Sequence, residues 1–428
     1  MQTMEAEKQA ESKLIYKPQV PNDLKDLDIP VTLIEDLILR YLYNKGAGST
    51  SKLSDELKLP FPIIDSVFQQ MRNRKLFEVT GLEGNNYLFT LSETGREQAF
   101  NRLQICNYSG PAPVSVQNYH KAVKAQVPKI QIDRSSLKNA LSDLVLTDKL
   151  LDQLGPALIS QNSIFVYGPT GNGKTSIVRR LLRVFEDAVL IPYAVEYDGQ
   201  IIVIYDPVVH ESIESNVTSI DNRWVLCRRP CILVGGELEP KMLELQLEKS
   251  TKVYSAPLQM RANNGILIID DFGRQMLTPQ YLLNRWIVPL DRRVDYLTLA
   301  YGVKFQIPFE MIVVFSTNLD PNDLADEAFL RRIQNKIYVD AVDSDVFDQI
   351  YYRIIADKNI PCEPDSEKLL RNLCLHCGPK ALRACYPRDI IDIIISISGY
   401  ENIPVEINNT NLERAVRLYF TKTMTNAQ

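Results

Sequence analysis

Eight consecutive residues of this 428-residue chain, GPTGNGKT from Gly168 to Thr175, fit the pattern G-x-x-x-x-G-K-[ST] at every required position. Glycines let a backbone turn tightly, so that successive N–H groups face the oxygens of a phosphate. Lys174 brings a positive charge to the β- and γ-phosphates of a nucleotide, and the Thr175 hydroxyl can ligate Mg²⁺. The residues predicted to bind the nucleotide are Gly168, Pro169, Thr170, Gly171, Asn172, Gly173, Lys174, Thr175 and Ser176.

Two adjacent carboxylates, Asp270 and Asp271, end an apolar run in GILIIDDFGR. We expect Asp270 to hold Mg²⁺, directly or through water, and Asp271 to orient or deprotonate an attacking water. A buried strand that ends in a solvated turn is the alternative explanation, and it gives the paired acids no role. ATP and Mg²⁺ are therefore the ligands that this pair and the glycine-rich loop predict together.

The neighbouring sequence predicts the elements that position these groups. The apolar run IFVY precedes the loop, and SIVRRLLRVF after it has apolar residues at helical spacing, which gives the strand, loop and helix order that the motif requires. A glycine turn with an accidental Lys-Thr pair would not need that context. MIVVFSTN is a further buried strand that ends at Asn318, and DEAFLRRIQNKIYV carries Arg331 and Arg332 at the end of a short helix.

A strand-terminal asparagine followed by paired arginines resembles sensor 1 and the arginine finger of the AAA+ ATPases, over residues 133 to about 425. The resemblance implies an α/β fold: a P-loop αβα core with a parallel sheet, followed by a C-terminal helical lid. It also makes Arg388, which opens a helix in CYPRDIIDIIISIS, the sensor 2 residue, although a surface arginine fits that position too. The catalytic residues it implies are Lys174, Asp271, Asn318, Arg331, Arg332 and Arg388.

The same resemblance has consequences for assembly and activity. An arginine finger completes the site of a neighbouring subunit, so we expect a homo-oligomer, with a hexameric ring the expected form. The segments VDYLTL and VKFQIPF predict a hairpin similar to that of the MoxR-like and magnesium-chelatase branch, which implies chaperone-like remodelling or assembly of a protein partner that the sequence does not identify. Tyr254 is the best candidate for an aromatic that grips this partner.

Asp271 departs from the family pattern, because most AAA+ enzymes have glutamate there. The carboxylate is one methylene shorter, which can misplace the water and slow hydrolysis. Helicase-loader ATPases of the superfamily also carry paired aspartates, so activity is still expected. Two alternatives stay open: a DNA-associated loader or regulator, and a slow nucleotide-gated switch.

Residues 29–107 are predicted to form three helices, a hairpin and a further helix, an order that resembles a small α+β winged-helix domain. In DNA-binding members the third helix enters the major groove, so residues 61–90 would provide the DNA contact. Acidic and basic residues nearly balance between residues 30 and 105, which suits a protein partner equally well. The base-reading face would be Gln69, Gln70, Arg72, Asn73, Arg74 and Lys75.

The remaining boundaries follow from composition. Residues 1–28 are polar and predict a flexible arm, 108–132 a linker, 133–342 the nucleotide-binding core and 343–428 the lid. The net charge is −5 and no apolar run approaches about 18 residues, so we expect a cytoplasmic protein without membrane insertion. Its seven cysteines are expected to be reduced thiols. Cys374 and Cys377 suit burial in the lid, with a zinc site as the alternative.

Overall fold

The structure is a computed structural model that describes residues 14–83, 86–128, 132–214, 220–324 and 326–420. The chain divides into two compact units, each assembled from separate segments. Among the described residues, no helix is long and apolar enough to cross a membrane. Unit one is Met1–Lys129, Phe185–Leu267 and Tyr281–Ile312, and unit two is Ile130–Val184, Ile268–Gln280 and Val313–Gln428.

Helices and strands are numbered here in chain order. The helices are α1 (Val31–Lys45), α2 (Thr50–Leu57), α3 (Phe61–Asn73), α4 (Glu93–Ile105), α5 (Val116–Ala125), α6 (Arg134–Ala140), α7 (Asp148–Ser160), α8 (Lys174–Arg180), α9 (Leu258–Arg261), α10 (Pro279–Arg292), α11 (Pro321–Leu324), α12 (Glu327–Leu330), α13 (Ser344–Lys358), α14 (Ser366–Cys377), α15 (Tyr386–Glu401) and α16 (Asn409–Tyr419). The strands are β1 (Gly48–Ser49), β2 (Phe77–Glu83), β3 (Asn86–Leu91), β4 (Val114–Ser115), β5 (Ile164–Tyr167), β6 (Ala188–Pro192), β7 (Ala194–Tyr197), β8 (Gln200–Val203), β9 (Trp224–Arg228), β10 (Cys231–Val234), β11 (Gln246–Glu248), β12 (Val253–Ser255), β13 (Ile266–Ile269), β14 (Val294–Thr298), β15 (Lys304–Pro308), β16 (Ile312–Thr317) and β17 (Asn335–Tyr338).

The first part of unit one contains the predicted helices and hairpin. Helix α1 ends at Gly46, whose positive φ a helix C-terminus favours, and α2 and α4 begin at serine caps whose hydroxyls accept backbone N–H bonds. Strands β2 and β3 pair antiparallel, and β1 adds to β3 in a three-stranded sheet. The order of three helices, hairpin and helix is confirmed, while Gly84 and Asn85 of its turn lie outside the described residues. That this part is a winged helix stays a prediction.

The structure differs from the predicted flexible arm and linker. Asp28 accepts bonds from the backbone N of Ser115 at 2.7 Å and from Arg223 Nη1 at 2.7 Å, so the end of the arm is held in place. Helix α5, inside the predicted linker, buries Tyr119 and Val123 in the core of unit one. The proline and glycine before this stretch suggested a linker, but the helical spacing of its apolar residues decides its structure. Residues 1–13 and 129–131 lie outside the described residues.

Further along, unit one contains a mixed sheet in the order β11-β12-β8-β7-β4 and the predicted hairpin, β14 with β15. The hairpin is confirmed, with Val294 opposite Pro308 and Thr298 opposite Lys304. The expectation that Tyr254 grips a substrate is wrong. Its side chain is only 2% exposed, and its hydroxyl accepts a bond from the backbone N of Ala300 at 2.9 Å.

Unit two carries the nucleotide motifs and the lid. Its sheet runs in the order β13-β16-β5-β17, and β5 pairs in parallel with both β16 and β17. The predicted α/β fold with a parallel sheet is confirmed. Helices α13–α16 enclose an apolar core that includes Cys374 and Cys377, and burial raises the pKa of Cys374 to about 12. These two cysteines therefore act as small apolar side chains.

Candidate nucleotide-binding site

The glycine-rich loop lies between β5 and α8. Ile164, Phe165 and Val166 are fully buried, so β5 is a rigid support for the loop. A Cβ on Gly168 would collide with the carbonyl oxygen of Val339, and the backbone there has φ +135°, so only glycine fits. Gly173 precedes α8 with φ +79°, which turns the chain into the helix.

Lys174 is directed back into its own loop. Its Nζ donates to the carbonyl oxygens of Gly168 and Pro169, both at 2.9 Å, and to Asn318 Oδ1 at 2.6 Å. Strands β5 and β16 are parallel, so their carboxyl ends meet at one edge of the sheet, and this brings the asparagine to the loop. Burial lowers the pKa of Lys174, an effect that the charges of Asp270 and Asp271 oppose.

The two aspartates at the end of β13 reach the same edge. Thr175 Oγ1 donates to Asp270 Oδ2 at 2.8 Å, which aligns a hydroxyl and a carboxylate as oxygen ligands for a hard cation. Asp271 is exposed, and its Oδ1 accepts from Asn318 Nδ2 at 3.3 Å. The Asp271 backbone N also donates to Asp270 Oδ1 at 3.1 Å, so Lys174, Thr175, Asp270, Asp271 and Asn318 form one hydrogen-bonded cluster.

The loop that precedes α15 meets the apex of the glycine-rich loop. Arg383 Nη1 donates to Thr170 Oγ1 at 2.8 Å, and the backbone N of Cys385 donates to the Gly171 oxygen at 2.9 Å. The backbone N of Ala384 donates to Asn172 Oδ1 at 3.4 Å. The Asn172 Nδ2 atom is buried without a hydrogen-bond partner among the described residues.

Arg383 was missed by the sequence analysis. It is 213 residues from Thr170 along the chain, and its loop matches no motif that would mark it. Arg388, expected to face the phosphates, lies in the first turn of α15 with its side chain exposed. Within the part of the chain that the structure describes, it makes no hydrogen bond or ion pair with the glycine-rich loop. A second arginine five residues before Arg388, in ALRACYPR, was the available signal.

The paired arginines follow the short helix α12. Arg331 is exposed and Arg332 is partly buried. Lys336 Nζ donates to the carbonyl oxygens of Leu330 at 2.7 Å and Ile333 at 2.8 Å, one on each side of the pair. Burial lowers the pKa of Lys336. The turn that presents the arginines is therefore held by two hydrogen bonds from the Lys336 ammonium group.

Comparison with known proteins gives limited similarity. Residues 343–418, within the predicted lid, match the family described as Domain of unknown function (DUF8689). No curated protein sequence matches the chain. A mutant of RuvB from Thermotoga maritima is similar at 10% identity and a TM-score of 0.37, over 70% of this chain and 72% of that one. NtrX from Brucella abortus is similar at 12% identity and a TM-score of 0.34, over 78% and 58%.

Proposed function

We propose that this chain is an ATPase of the AAA+ type that binds and hydrolyses Mg-ATP. The observation that carries the proposal is the cluster at the carboxyl ends of β5, β13 and β16. There, Lys174 and Thr175 of the glycine-rich loop are bonded to Asn318 and Asp270. Structural residues at a strand end need no buried ammonium held on two loop carbonyls beside two carboxylates, whereas a triphosphate does.

The residues present fit both ATP and Mg²⁺. The unpartnered Nδ2 of Asn172 and the Lys174 ammonium are donors for phosphate oxygens, and the ammonium would exchange its bonds to loop carbonyls for bonds to phosphate. Thr175 and Asp270 would hold Mg²⁺, which neutralises charge on the phosphates. Among the described residues, no group of three or more His, Cys, Asp or Glu could hold a metal alone, so phosphate and water oxygens would complete its shell.

Asp271 is the proposed base or orienting group for the attacking water. Water adds to the γ-phosphorus, the bond to the β-γ bridging oxygen breaks, and ADP and inorganic phosphate leave. The exposed Asp271 carboxylate orients that water and accepts its proton. Asn318 is hydrogen-bonded to both Lys174 and Asp271 and so fixes the position of one charged group relative to the other.

We further propose that catalysis occurs between subunits of a ring, expected to be hexameric. Arg331 is exposed at the end of α12, where a neighbouring copy can approach, and it would complete that neighbour's site alone or with Arg332. Arg383 and Arg388 are both candidates for the arginine that links the lid to the phosphates. Arg383 is favoured, because it already bonds to Thr170 of the loop.

The work done by hydrolysis is proposed to be remodelling of a protein partner, with the winged-helix-like part as a contact surface. Of the predicted base-reading residues, Arg74 is engaged by Glu35 at 3.0 Å, and Arg72 lies over the ring of Tyr87 at 5.5 Å. Leu82 and Tyr87 oppose each other across the hairpin and are exposed. Two exposed apolar side chains, next to arginines that already have contacts within the chain, favour a protein partner over DNA. Salt-sensitive duplex binding that Arg72→Ala abolishes would reverse this preference.

The test is ATP turnover measured against protein concentration. We expect turnover in the wild type that rises with concentration, and loss of about two orders of magnitude or more in Lys174→Ala and Asp271→Asn. Mixing Asp271→Asn with Arg331→Ala or Arg332→Ala should restore part of the activity, because each variant carries the group that the other lacks. Wild-type protein that binds ATP without turnover would overturn the hydrolase and leave a nucleotide-gated switch.

A further inference from the structure

The turn that follows β13 has an unusual backbone. Asp271 has φ +49° and Gly273 has φ +103°, both in the left-handed region. A Cβ on Gly273 would approach Leu324 Cδ2 to 2.7 Å, so the turn has little room to relax. The catalytic aspartate of the proposed reaction is thus mounted on a left-handed residue rather than on a regular strand or helix.

The side-chain amide of Gln275 braces this turn from both sides of Asp271. Its Nε2 donates to the Asp270 carbonyl oxygen at 2.7 Å, and its Oε1 accepts from the Gly273 backbone N at 2.9 Å. The backbone N of Arg274 donates to the Asp271 oxygen at 3.0 Å, which closes the turn. One amide therefore holds the peptide groups before and after the aspartate.

Phe272, the residue after Asp271, is packed into the core and hydrogen-bonded through its backbone. It is 1% exposed and packs edge-on against Phe165 of β5 and Phe315 of β16, with centroids 6.0 and 5.0 Å away. Its backbone N donates to the Ser316 oxygen at 2.8 Å, and its own oxygen accepts from Thr317 Oγ1 at 2.7 Å. The core thus fixes the residue after Asp271.

A left-handed backbone selects among acidic residues. Aspartate and asparagine enter this region more readily than longer side chains, because their short polar groups bond locally. Here the Asp271 carboxylate meets Asn318 Nδ2 at 3.3 Å. A glutamate on the same backbone would carry its carboxylate one methylene past that donor.

We propose that Gln275 is a positioning residue for Asp271, and that the left-handed turn it braces makes aspartate, not glutamate, the effective acid at position 271. Both hydrogen bonds of the Gln275 amide are to backbone groups of the turn. It acts by keeping the Asp270 and Gly273 peptides in place. The inference rests on the proposed hydrolysis and explains how the shorter carboxylate serves it.

The test compares kcat with Mg-ATP affinity in four variants of the full chain. Gln275→Met keeps the side-chain length and removes both hydrogen bonds. We expect its kcat to fall about tenfold or more while the Kd for Mg-ATP stays within about twofold. Asp271→Glu should also fall below the wild type. In the Asp271→Asn background, Gln275→Met should change kcat less than about twofold, because both act through one carboxylate.

Gln280→Met is the matched control, since Gln280 is an exposed glutamine five residues away. It should keep wild-type kcat. A wild-type kcat in Gln275→Met, a kcat in Asp271→Glu at or above the wild type, or the full tenfold loss in the Asp271→Asn background would each overturn the inference. If Lys174→Ala turned over ATP as fast as the wild type, the proposed hydrolysis itself would fail, and this inference with it.

Discussion

At the scale of single residues, the structure adds Arg383 to the candidate site residues that the sequence predicts. It contacts Thr170 at the loop apex, and its guanidinium lies 5.9 Å above the ring of Tyr386, so two contacts hold it beside the proposed phosphate site. We expect Arg383→Ala to weaken Mg-ATP binding by about tenfold, because a charge-assisted donor is lost. Titration with a fluorescent ATP analogue measures this directly.

The same titration of Arg388→Ala shows which of the two lid arginines contacts the nucleotide. If Arg383 is the arginine that contacts the phosphates, Arg388→Ala should bind nucleotide with the affinity of the wild type. Unchanged affinity in Arg383→Ala together with a loss in Arg388→Ala would return the role to the residue that the family resemblance implied.

The sequence could predict the site residues that belong to motifs with fixed spacing. Lys174, Thr175 and Asp270 each follow a strand in a pattern whose chemistry is readable, and parallel strand ends bring such residues together. Arg383 is marked in the sequence only as a second arginine before Arg388, and no local pattern encodes which lid loop meets Thr170. The left-handed backbone of Asp271 was also hidden, since aspartate is compatible with it but does not require it.

At the scale of elements, two glycines give a matched pair of substitutions. A Cβ on Gly95, in the first turn of α4, would collide with the Leu76 carbonyl oxygen, whereas a Cβ on Gly399 of α15 has nothing within 4 Å. Gly95→Ala should therefore destabilise the protein by about 1–3 kcal/mol through overpacking. Gly399→Ala should stabilise it by about 0.5–1 kcal/mol, because alanine suits a helix better.

Urea unfolding followed by circular dichroism measures both glycine variants. The opposite signs serve as internal controls, since both substitutions add one methyl group to a helix. Equal effects in the two variants would show that the close approach of α4 to Leu76 is not maintained in solution.

Elements with strong local patterns were predictable, and those defined by distant partners were not. The helices from Val31 to Asn73 and the β14–β15 hairpin follow from apolar periodicity and turn residues. Strand β4, in contrast, has two residues and exists because Val114 pairs with Val195 of β7. Its segment was therefore expected to be a linker. Tyr254 was misjudged for the same reason, because burial depends on what folds over a residue.

At the scale of the whole molecule, the interleaved units explain why continuous domain boundaries describe the chain poorly. Unit one takes in residues from both sides of the glycine-rich loop, and the buried Arg223 bonds to Asp28 at 2.7 Å across 195 residues of sequence. Such pairings are set by complementary burial and charge over long separations. Local periodicity carries no information about them.

The stability of the folded chain should fall in mild acid because of His210. Its Nδ1 accepts from the Asp206 backbone N at 3.0 Å, so the neutral ring carries its proton on Nε2, which donates to the Arg261 oxygen at 2.9 Å. Burial lowers the pKa of His210. Below the unfolded pKa of about 6.5, His210 is protonated in the unfolded chain while it stays neutral in the folded chain. The free energy of unfolding therefore keeps its full value above that pH and decreases as the pH falls below it.

Urea unfolding at about pH 7.5 and about pH 5.5 measures the effect, with His210→Gln as the comparison. The wild type should lose more free energy of unfolding between the two pH values than the variant does. An equal loss in both proteins would mean that His210 does not carry this part of the pH dependence.

The proposed ring predicts an effect of changing Lys336 that a single subunit acting alone would not show. Its ammonium fixes the turn bearing Arg331 and Arg332, through the carbonyl oxygens on either side of the pair. If these arginines act on a neighbour's nucleotide, Lys336→Met should keep its own Mg-ATP affinity and lose roughly tenfold or more in kcat. Mixed with Lys174→Ala, it should regain turnover, because its intact loop binds ATP and the partner variant supplies well-placed arginines. The exposed Lys304, changed to methionine, is the control. A mixture no more active than its two components measured separately would place the function of this turn within one subunit.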